Sequence, residues 1–239
     1  SFLAAEYGID QMFYISSVFA LASIIILSRM KETLPKAMKS RLSLSLFRIG
    51  WKDVFEPKIV PVFWIMLFVS FSAGAMITLI PDTSKIIGWN NKGLYFTIYT
   101  ISSILIRLFF SKASDKYGRI PVLIFGCFML SVSMFLLVFT INSYLFIASA
   151  ILYGVAWGFN TPTLAAWTND LGDKNHMGRA MATMYIALEA GIGLGAYVSG
   201  AVYQGVASQI PIPFLIAALL ALLAFLLLMK QKRNWTYGI

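Results

Sequence analysis

The chain has 239 residues, of which 59% are hydrophobic and 12% are charged, and its mean hydropathy is +0.78. This composition excludes an ordinary soluble domain and predicts a protein whose core lies in a lipid bilayer. The net charge of +9 does not predict a nucleic-acid partner, because the basic residues follow the membrane topology.

Seven apolar stretches predict transmembrane helices. Each has about the 17–25 residues that a helix needs to cross a hydrocarbon core. The stretches are continuously apolar, which excludes the alternating strands of an outer-membrane barrel. The predicted fold is therefore an all-α polytopic membrane protein with seven spans. In chain order these are Met12–Ser28, Ile59–Ile80, Gly93–Phe110, Ile120–Thr140, Tyr144–Thr168, Gly178–Gln204 and Pro213–Met229.

The basic residues predict the orientation of these spans. Sixteen of the 19 Lys and Arg residues lie in connections on one side, and only Lys85 and Lys92 lie on the other. Because basic loops stay in the cytoplasm, the first residue is expected outside and the C-terminus inside. The expected location is the cytoplasmic (inner) membrane of a bacterium, with several passes through it.

One long connection, residues 29–58, separates the first span from the other six. Its apolar residues alternate with Arg41, Arg48 and Lys52, which fits either an amphipathic helix on the membrane surface or a solvated linker. The odd number of spans and the start at Ser1 suggest that the chain is a piece of a larger protein.

Two further patterns concern helix packing. The last span, Phe214–Met229, has no polar side chain and is expected to face lipid. Small residues allow helices to approach closely, and the glycines of the fifth and sixth spans predict such packing. They are Gly154, Gly158, Gly191, Gly193, Gly195 and Gly200.

The loop after the third span carries a specific motif. It matches the pattern G-x-L-A/S-D-R/K-x-G-R/K-R/K at Ser114, Asp115, Lys116, Gly118 and Arg119, and departs from it at Ser111, Ala113 and Ile120. This motif resembles the cytoplasmic signature of the major facilitator superfamily, in the second copy between helices eight and nine.

The resemblance implies a division of the chain. Residues 1–28 would be helix six, the last helix of the N-terminal half. Residues 29–58 would be the central cytoplasmic loop, and residues 59–239 the C-terminal six-helix bundle, helices seven to twelve. The N-terminal six-helix half would be missing, and alternating access would need both halves.

The resemblance also implies a cytoplasmic latch. Asp115 would lie against the positive N-terminal end of helix five in the other half. Arg119 is expected to bridge to Asp170 at the end of helix ten, with Gly118 and Arg107 in the same region. The alternative is a solvated charged loop that only sets topology.

Apart from Arg179 at the second position of the sixth span, two charged residues lie inside predicted spans, Arg107 and Glu189. A charge at the bilayer centre costs about 2.5–3.5 kcal/mol on insertion scales, so it normally faces a cavity or a partner. Glu189 is the deeper of the two and is the candidate for proton coupling. The alternatives are an ion pair with Arg107 or another base, and direct contact with a substrate.

Aromatic residues with polar tips suggest a substrate cavity. Such side chains suit a moderately apolar organic molecule in a wet cleft, although packing between helices would explain each of them equally well. In the superfamily, helices seven, eight, ten and eleven line the cavity. This favours the interpretation that these residues together line a substrate cavity and do not only pack between helices. The candidates are Tyr95, Tyr99, Tyr153, Trp157, Asn160 and Tyr185.

Other seven-helix classes fit less well. A receptor is disfavoured because Cys127 is the only cysteine and the last span lacks NPxxY, and a retinal protein because that span has no lysine before Lys230. The single His176 and the lack of paired intramembrane acids argue against an enzyme, a metal site or a cofactor.

The sequence therefore predicts a secondary transporter of a small molecule that works by alternating access. Proton-coupled export of an amphiphilic or drug-like compound is the leading hypothesis. Transport of a sugar or another polar metabolite is the alternative. Expected partners are the substrate, protons, the bilayer and the N-terminal half.

Overall fold

The computed structural model describes residues 9–30, 50, 54–89, 91–139, 142–174 and 176–237. Every regular element in this part of the chain is helical, which confirms the all-α prediction. The chain forms two compact units, Ser1–Gly50 and Trp51–Ile239. The predicted amphipathic helix of the long connection falls mainly on residues 31–49 and 51–53, outside the described residues.

The helices follow the apolar stretches. The first unit contains α1, Ile9–Ser28. In the second unit, short 3-10 turns at Pro57–Ile59 and Ala207–Gln209 precede α2 and α8 respectively. Its helices are α2 (Val60–Ile86), α3 (Leu94–Phe110), α4 (Ala113–Tyr117), α5 (Arg119–Val138), α6 (Ser143–Leu171), α7 (Met177–Tyr203) and α8 (Pro211–Tyr237).

All seven predicted spans coincide with helices, but they differ in length. Within the described residues, α2, α5, α6, α7 and α8 are long and apolar enough to cross a membrane. The other two are shorter: the apolar part of α1 is Phe13–Ser28, and α3 has 17 residues. At 1.5 Å per residue α3 rises about 25 Å, close to the thickness of the hydrocarbon core.

Helix α2 is the centre of the second unit. It packs closely against α7 on one side and against α8 on the other, while α6 packs against α3 and α5, and α5 also packs against α8. In its most apolar window 67% of α2 is buried, against 28% for α7. Helix α7 is therefore held along one side and leaves a long face uncovered.

Helix α8 has one buried face and one exposed face, although its residues are apolar on both. Four alanines are buried toward α2 and α5, whereas leucines such as Leu219 and Leu226 are more than half exposed. A hydrogen bond from Ser131 Oγ of α5 to the Ala218 carbonyl oxygen, 2.9 Å long, holds the alanine face. The expectation that α8 faces lipid thus applies to its leucine side only. The buried alanines are Ala217, Ala218, Ala221 and Ala224.

Glycines bring two helix pairs together. Backbone atoms of α2 occupy the space where Gly191 and Gly195 of α7 would carry a Cβ. On α6, a Cβ at Gly154 would overlap the Tyr99 carbonyl oxygen of α3, and one at Gly158 would lie 2.9 Å from the Ile106 side chain. The predicted close packing is therefore present at these four positions. Gly193 and Gly200 differ, because an added Cβ there would meet nothing within 4 Å.

Replacing Gly195 by Ala is expected to destabilise the protein by about 1–3 kcal/mol, the usual cost of overpacking. The added methyl group would overlap the carbonyl oxygen of Phe71. Gly193→Ala is the matched control, expected to be neutral or slightly stabilising because alanine favours a helix. Thermal unfolding in detergent measures both, and equal melting temperatures for the two variants would contradict the close seam.

Candidate functional site

The uncovered face of α7 carries the predicted proton site. Glu189 lies twelve residues after Met177 in a helix of 27 residues, about 18 Å from its start. Its side chain is exposed on the face opposite the glycine seam, together with Tyr185, Gly193 and Tyr197. A carboxylate at this depth of a spanning helix requires a polar surrounding.

Glu189 has no ion pair or hydrogen bond to any residue that the structure describes. Arg107, the other predicted intramembrane charge, is exposed near the C-terminal end of α3 and does not pair with Glu189. The alternative of an Arg107–Glu189 ion pair is therefore not realised. Glu189 is accessible from the uncovered face, as a proton carrier would have to be.

The aromatic residues that were predicted to line a cavity differ in how exposed they are. Tyr99 and Trp157 are half-buried and Tyr185 is exposed. Tyr153 joins the first two, since its ring lies 5.4 Å from that of Tyr99 and stacks on that of Trp157 at 5.9 Å. These contacts form an aromatic ladder between α3 and α6.

Tyr95 and Asn160 lie inside the bundle. Tyr95 is fully buried against Phe146, and its hydroxyl accepts a hydrogen bond from Ser149 Oγ at 3.4 Å. Asn160 is fully buried where α6 meets Gly126 of α5, and neither amide atom has a partner among the described residues. Both side chains occupy helix interfaces and do not line an open surface. Tyr153 is also buried, and its hydroxyl has no hydrogen-bond partner among the described residues.

The signature loop folds into a charged corner between α3 and α5. Arg119 is its centre: its guanidinium forms an ion pair with Asp115 and donates to Ser114 Oγ at 2.8 Å. Nε of Arg119 donates to Asp170 Oδ2 of α6 at 2.7 Å, so the predicted bridge is present. Gly118 has a φ of 89°, a left-handed conformation that favours glycine. The motif therefore ties the end of α6 to the start of α5.

A second ionic contact, near the start of α7, was not predicted. Glu56, whose side chain is 4% exposed, forms an ion pair with Arg179 in the first turns of α7. Thr183 reinforces it: its hydroxyl donates to the Val54 carbonyl oxygen at 3.0 Å and accepts from the Glu56 amide at 2.8 Å. Glu56 lies in the basic connection, and no sequence pattern indicates its partner, which lies 123 residues further along the chain.

The sequence profile of the Major Facilitator Superfamily matches residues 83–235, which is more than half of the chain. The chain belongs to the Major Facilitator Superfamily. The matched region runs from the end of α2 to α8 and includes the signature corner and the whole of α7.

Several curated superfamily proteins are similar to this chain. Multidrug resistance protein 2 of Bacillus subtilis is 25% identical over 72% of the chain and 44% of its own length. The multi-drug resistance efflux pump PmrA of Streptococcus pneumoniae is 28% identical over 64% and 38%, respectively. The quinolone resistance protein NorA of Staphylococcus aureus is 24% identical over 74% and 47%. The matches thus span less than half the length of these superfamily relatives.

Proposed function

We propose that this chain is part of a secondary transporter that exports amphiphilic, drug-like compounds in exchange for protons. The observation that carries the proposal is the Glu189 carboxylate at mid-helix on the uncovered face of α7, which has no ion pair or hydrogen bond to a described residue. Superfamily membership supports the transporter class, and similarity to multidrug and quinolone resistance proteins favours drug export over sugar uptake.

The roles that we propose for the three segments of the chain are those that the sequence implies. Residues 1–28 serve as the last helix of an N-terminal half, residues 29–58 as the central cytoplasmic loop, and residues 59–239 as the C-terminal half. The face of α7 and the half-buried side of the aromatic ladder, at Tyr99 and Trp157, form one wall of the cavity. The second half of the transporter supplies the opposite wall.

The proposed substrate chemistry follows from this wall. Tyr185 and Tyr197 are 52% and 75% exposed on α7, and present flat apolar rings with hydroxyl tips beside one carboxylate. Such a surface suits an aromatic cation, which the rings would contact by stacking and the carboxylate by charge. A sugar would require a denser set of hydrogen-bonding groups than this face offers.

Transport in inside-out membrane vesicles that contain the intact protein tests the proposal. An imposed proton gradient, acidic inside, is expected to drive uptake of a fluorescent aromatic cation such as ethidium, and nigericin is expected to abolish it. Vesicles without the protein are the control. Uptake of sugars in place of ethidium, or uptake that survives nigericin, would refute proton-coupled drug export.

Asp115→Asn is expected to increase the fraction of molecules open to the cytoplasm. The substitution weakens the charged corner that Arg119 holds, and removes the charge proposed to face the other half. Labelling of single cysteines placed on the two sides of the membrane measures the change. Asp173→Asn, an acid of the α6–α7 connection outside the corner, is the control. Unchanged labelling in Asp115→Asn would contradict the latch.

A further inference from the structure

A depression opens beside the signature corner. Its volume is about 210 Å³, and it lies between the C-terminal end of α3 and the middle of α6. Helices α3 and α5 both pack on α6 but hardly on each other, which leaves this part of α6 uncovered. The lining residues are Ile106, Arg107, Phe110, Ser111, Ser114, Gly158, Phe159, Pro162 and Thr163.

The polar part of the depression is cationic. Arg107 is exposed and has no ion pair or hydrogen bond to any residue in the described ranges. The hydroxyls of Ser111 and Ser114 lie on the same rim, and no acidic residue lines the depression. The exposed Lys112 and Lys116 follow at the same end of α3. These groups would attract an anionic head that can accept several hydrogen bonds.

The deeper part of the depression is apolar and aromatic. The ring of Phe159 lies 5.9 Å from that of Phe110 and 5.6 Å from that of Phe125, so one aromatic surface spans the gap from α3 to α5. Phe110 and Phe125 are about half exposed. An apolar chain lying along this surface would cover area that the bundle itself leaves open.

We propose that this depression binds an anionic phospholipid of the cytoplasmic leaflet. Arg107 and the two serines hold the headgroup phosphate, and the acyl chains lie along Phe110 and Phe159. The cytoplasmic leaflet is the source because the sixteen basic residues place this end of the bundle inside. The proposal rests on that orientation and does not depend on proton coupling, since Glu189 lies on a different helix.

Native mass spectrometry of the intact protein tests the proposal. The protein is released from detergent micelles that contain equal amounts of phosphatidylglycerol and phosphatidylcholine. We expect preferential retention of phosphatidylglycerol, and a roughly fivefold loss of this preference in Arg107→Gln, the effect of one cation near an anionic lipid surface. Arg107→Lys is expected to retain most of it. Lys174→Gln, which removes an exposed cation outside the depression, is expected to behave as the wild type.

Ser111→Asp gives a second variant that does not remove the arginine. An added carboxylate on the rim is expected to lower the preference by a similar factor. Equal retention of phosphatidylglycerol by the wild type, Arg107→Gln and Ser111→Asp would overturn the proposal. Competition by millimolar inorganic phosphate would also overturn it, because the depression would then be a free-anion site. So would a cross-link from Ser111→Cys to another segment of the protein that covers the depression.

Discussion

Glu189→Gln is expected to abolish proton-driven transport while leaving the protein folded and able to bind its substrate. Glutamine has nearly the shape of glutamate but cannot take up or release a proton. The side chain is exposed and makes no ion pair or hydrogen bond within the described part of the chain, so the substitution breaks no contact of the bundle. Loss of transport would therefore reflect lost coupling and not lost structure.

The position of Glu189 explains the expected size of the effect. A carboxylate at the middle of a spanning helix is costly. A residue that merely covered the surface of the helix would therefore not be expected to be acidic at this position. Gradient-driven ethidium uptake in inside-out vesicles measures coupling, and ethidium binding to the detergent-solubilised protein measures the site. We expect uptake at the level of empty vesicles in Glu189→Gln. Ethidium binding through the tyrosine rings is expected to remain, weakened by the loss of the carboxylate charge and no longer pH-dependent.

Two further variants distinguish the loss of proton coupling at Glu189 from the loss of a negative charge elsewhere in the protein. Asp82→Asn removes an acid from the far end of α2, where it forms an exposed ion pair with Lys85, and is expected to leave uptake unchanged. Glu189→Asp keeps a titratable group and is expected to retain partial uptake. Full gradient-driven uptake in Glu189→Gln would dismiss the coupling role.

Glu56→Ala is expected to destabilise the protein by about 3–5 kcal/mol, the usual cost of removing one partner of a buried ion pair. The Glu56 side chain is 4% exposed and that of Arg179 is 27% exposed. The substitution leaves the guanidinium without its buried carboxylate. It also weakens the attachment of residues 54–56 to α7, to which the hydrogen bonds of Thr183 still contribute.

Thermal and denaturant unfolding of the intact protein in detergent measure this effect. Asp82→Ala is the control, because it breaks an exposed ion pair that is worth about 0–1 kcal/mol. The double variant with Arg179→Ala should be clearly less destabilised than the sum of the single variants, as expected for partners in direct contact. Equal losses of unfolding free energy in Glu56→Ala and Asp82→Ala would show that the Glu56–Arg179 ion pair does not hold residues 54–56 against α7.

Hydropathy was sufficient to predict the helices, because a continuous apolar stretch of this length has few other uses. The predicted limits fell short where polar residues continue a helix, as at the end of α2, which runs on to Ile86. The short helix α4 was not predicted. The bridge from Arg119 to Asp170 was predicted from the motif, since both residues lie at the same end of neighbouring helices.

Periodicity was less informative about the candidate site. Tyr153, Trp157 and Asn160 recur at three- and four-residue intervals along α6, a spacing that does not distinguish a cavity wall from a helix interface. The structure buries Tyr153 and Asn160 and leaves Trp157 half-buried, because Tyr153 packs on Tyr99 of α3 and Asn160 lies at Gly126 of α5. The burial of Glu56 was not predicted, because the partner of its ion pair lies 123 residues away in the sequence.

The central claim is that the uncovered face of α7 lines a water-filled cavity in the intact protein. Gly193→Cys tests it most directly, because Gly193 lies one turn after Glu189 on that face and an added side chain meets nothing within 4 Å. The background replaces Cys127 by Ser, together with any other cysteine. Phe128→Cys, at an exposed position on α5, is the control for a lipid-facing site.

We expect a charged, membrane-impermeant maleimide to label Gly193→Cys, and an excess of transported substrate to slow that labelling. Phe128→Cys should react only with a membrane-soluble maleimide. If Gly193→Cys also reacted only with the membrane-soluble reagent, the face of α7 would lie in lipid, and the proposed role of Glu189 would be contradicted.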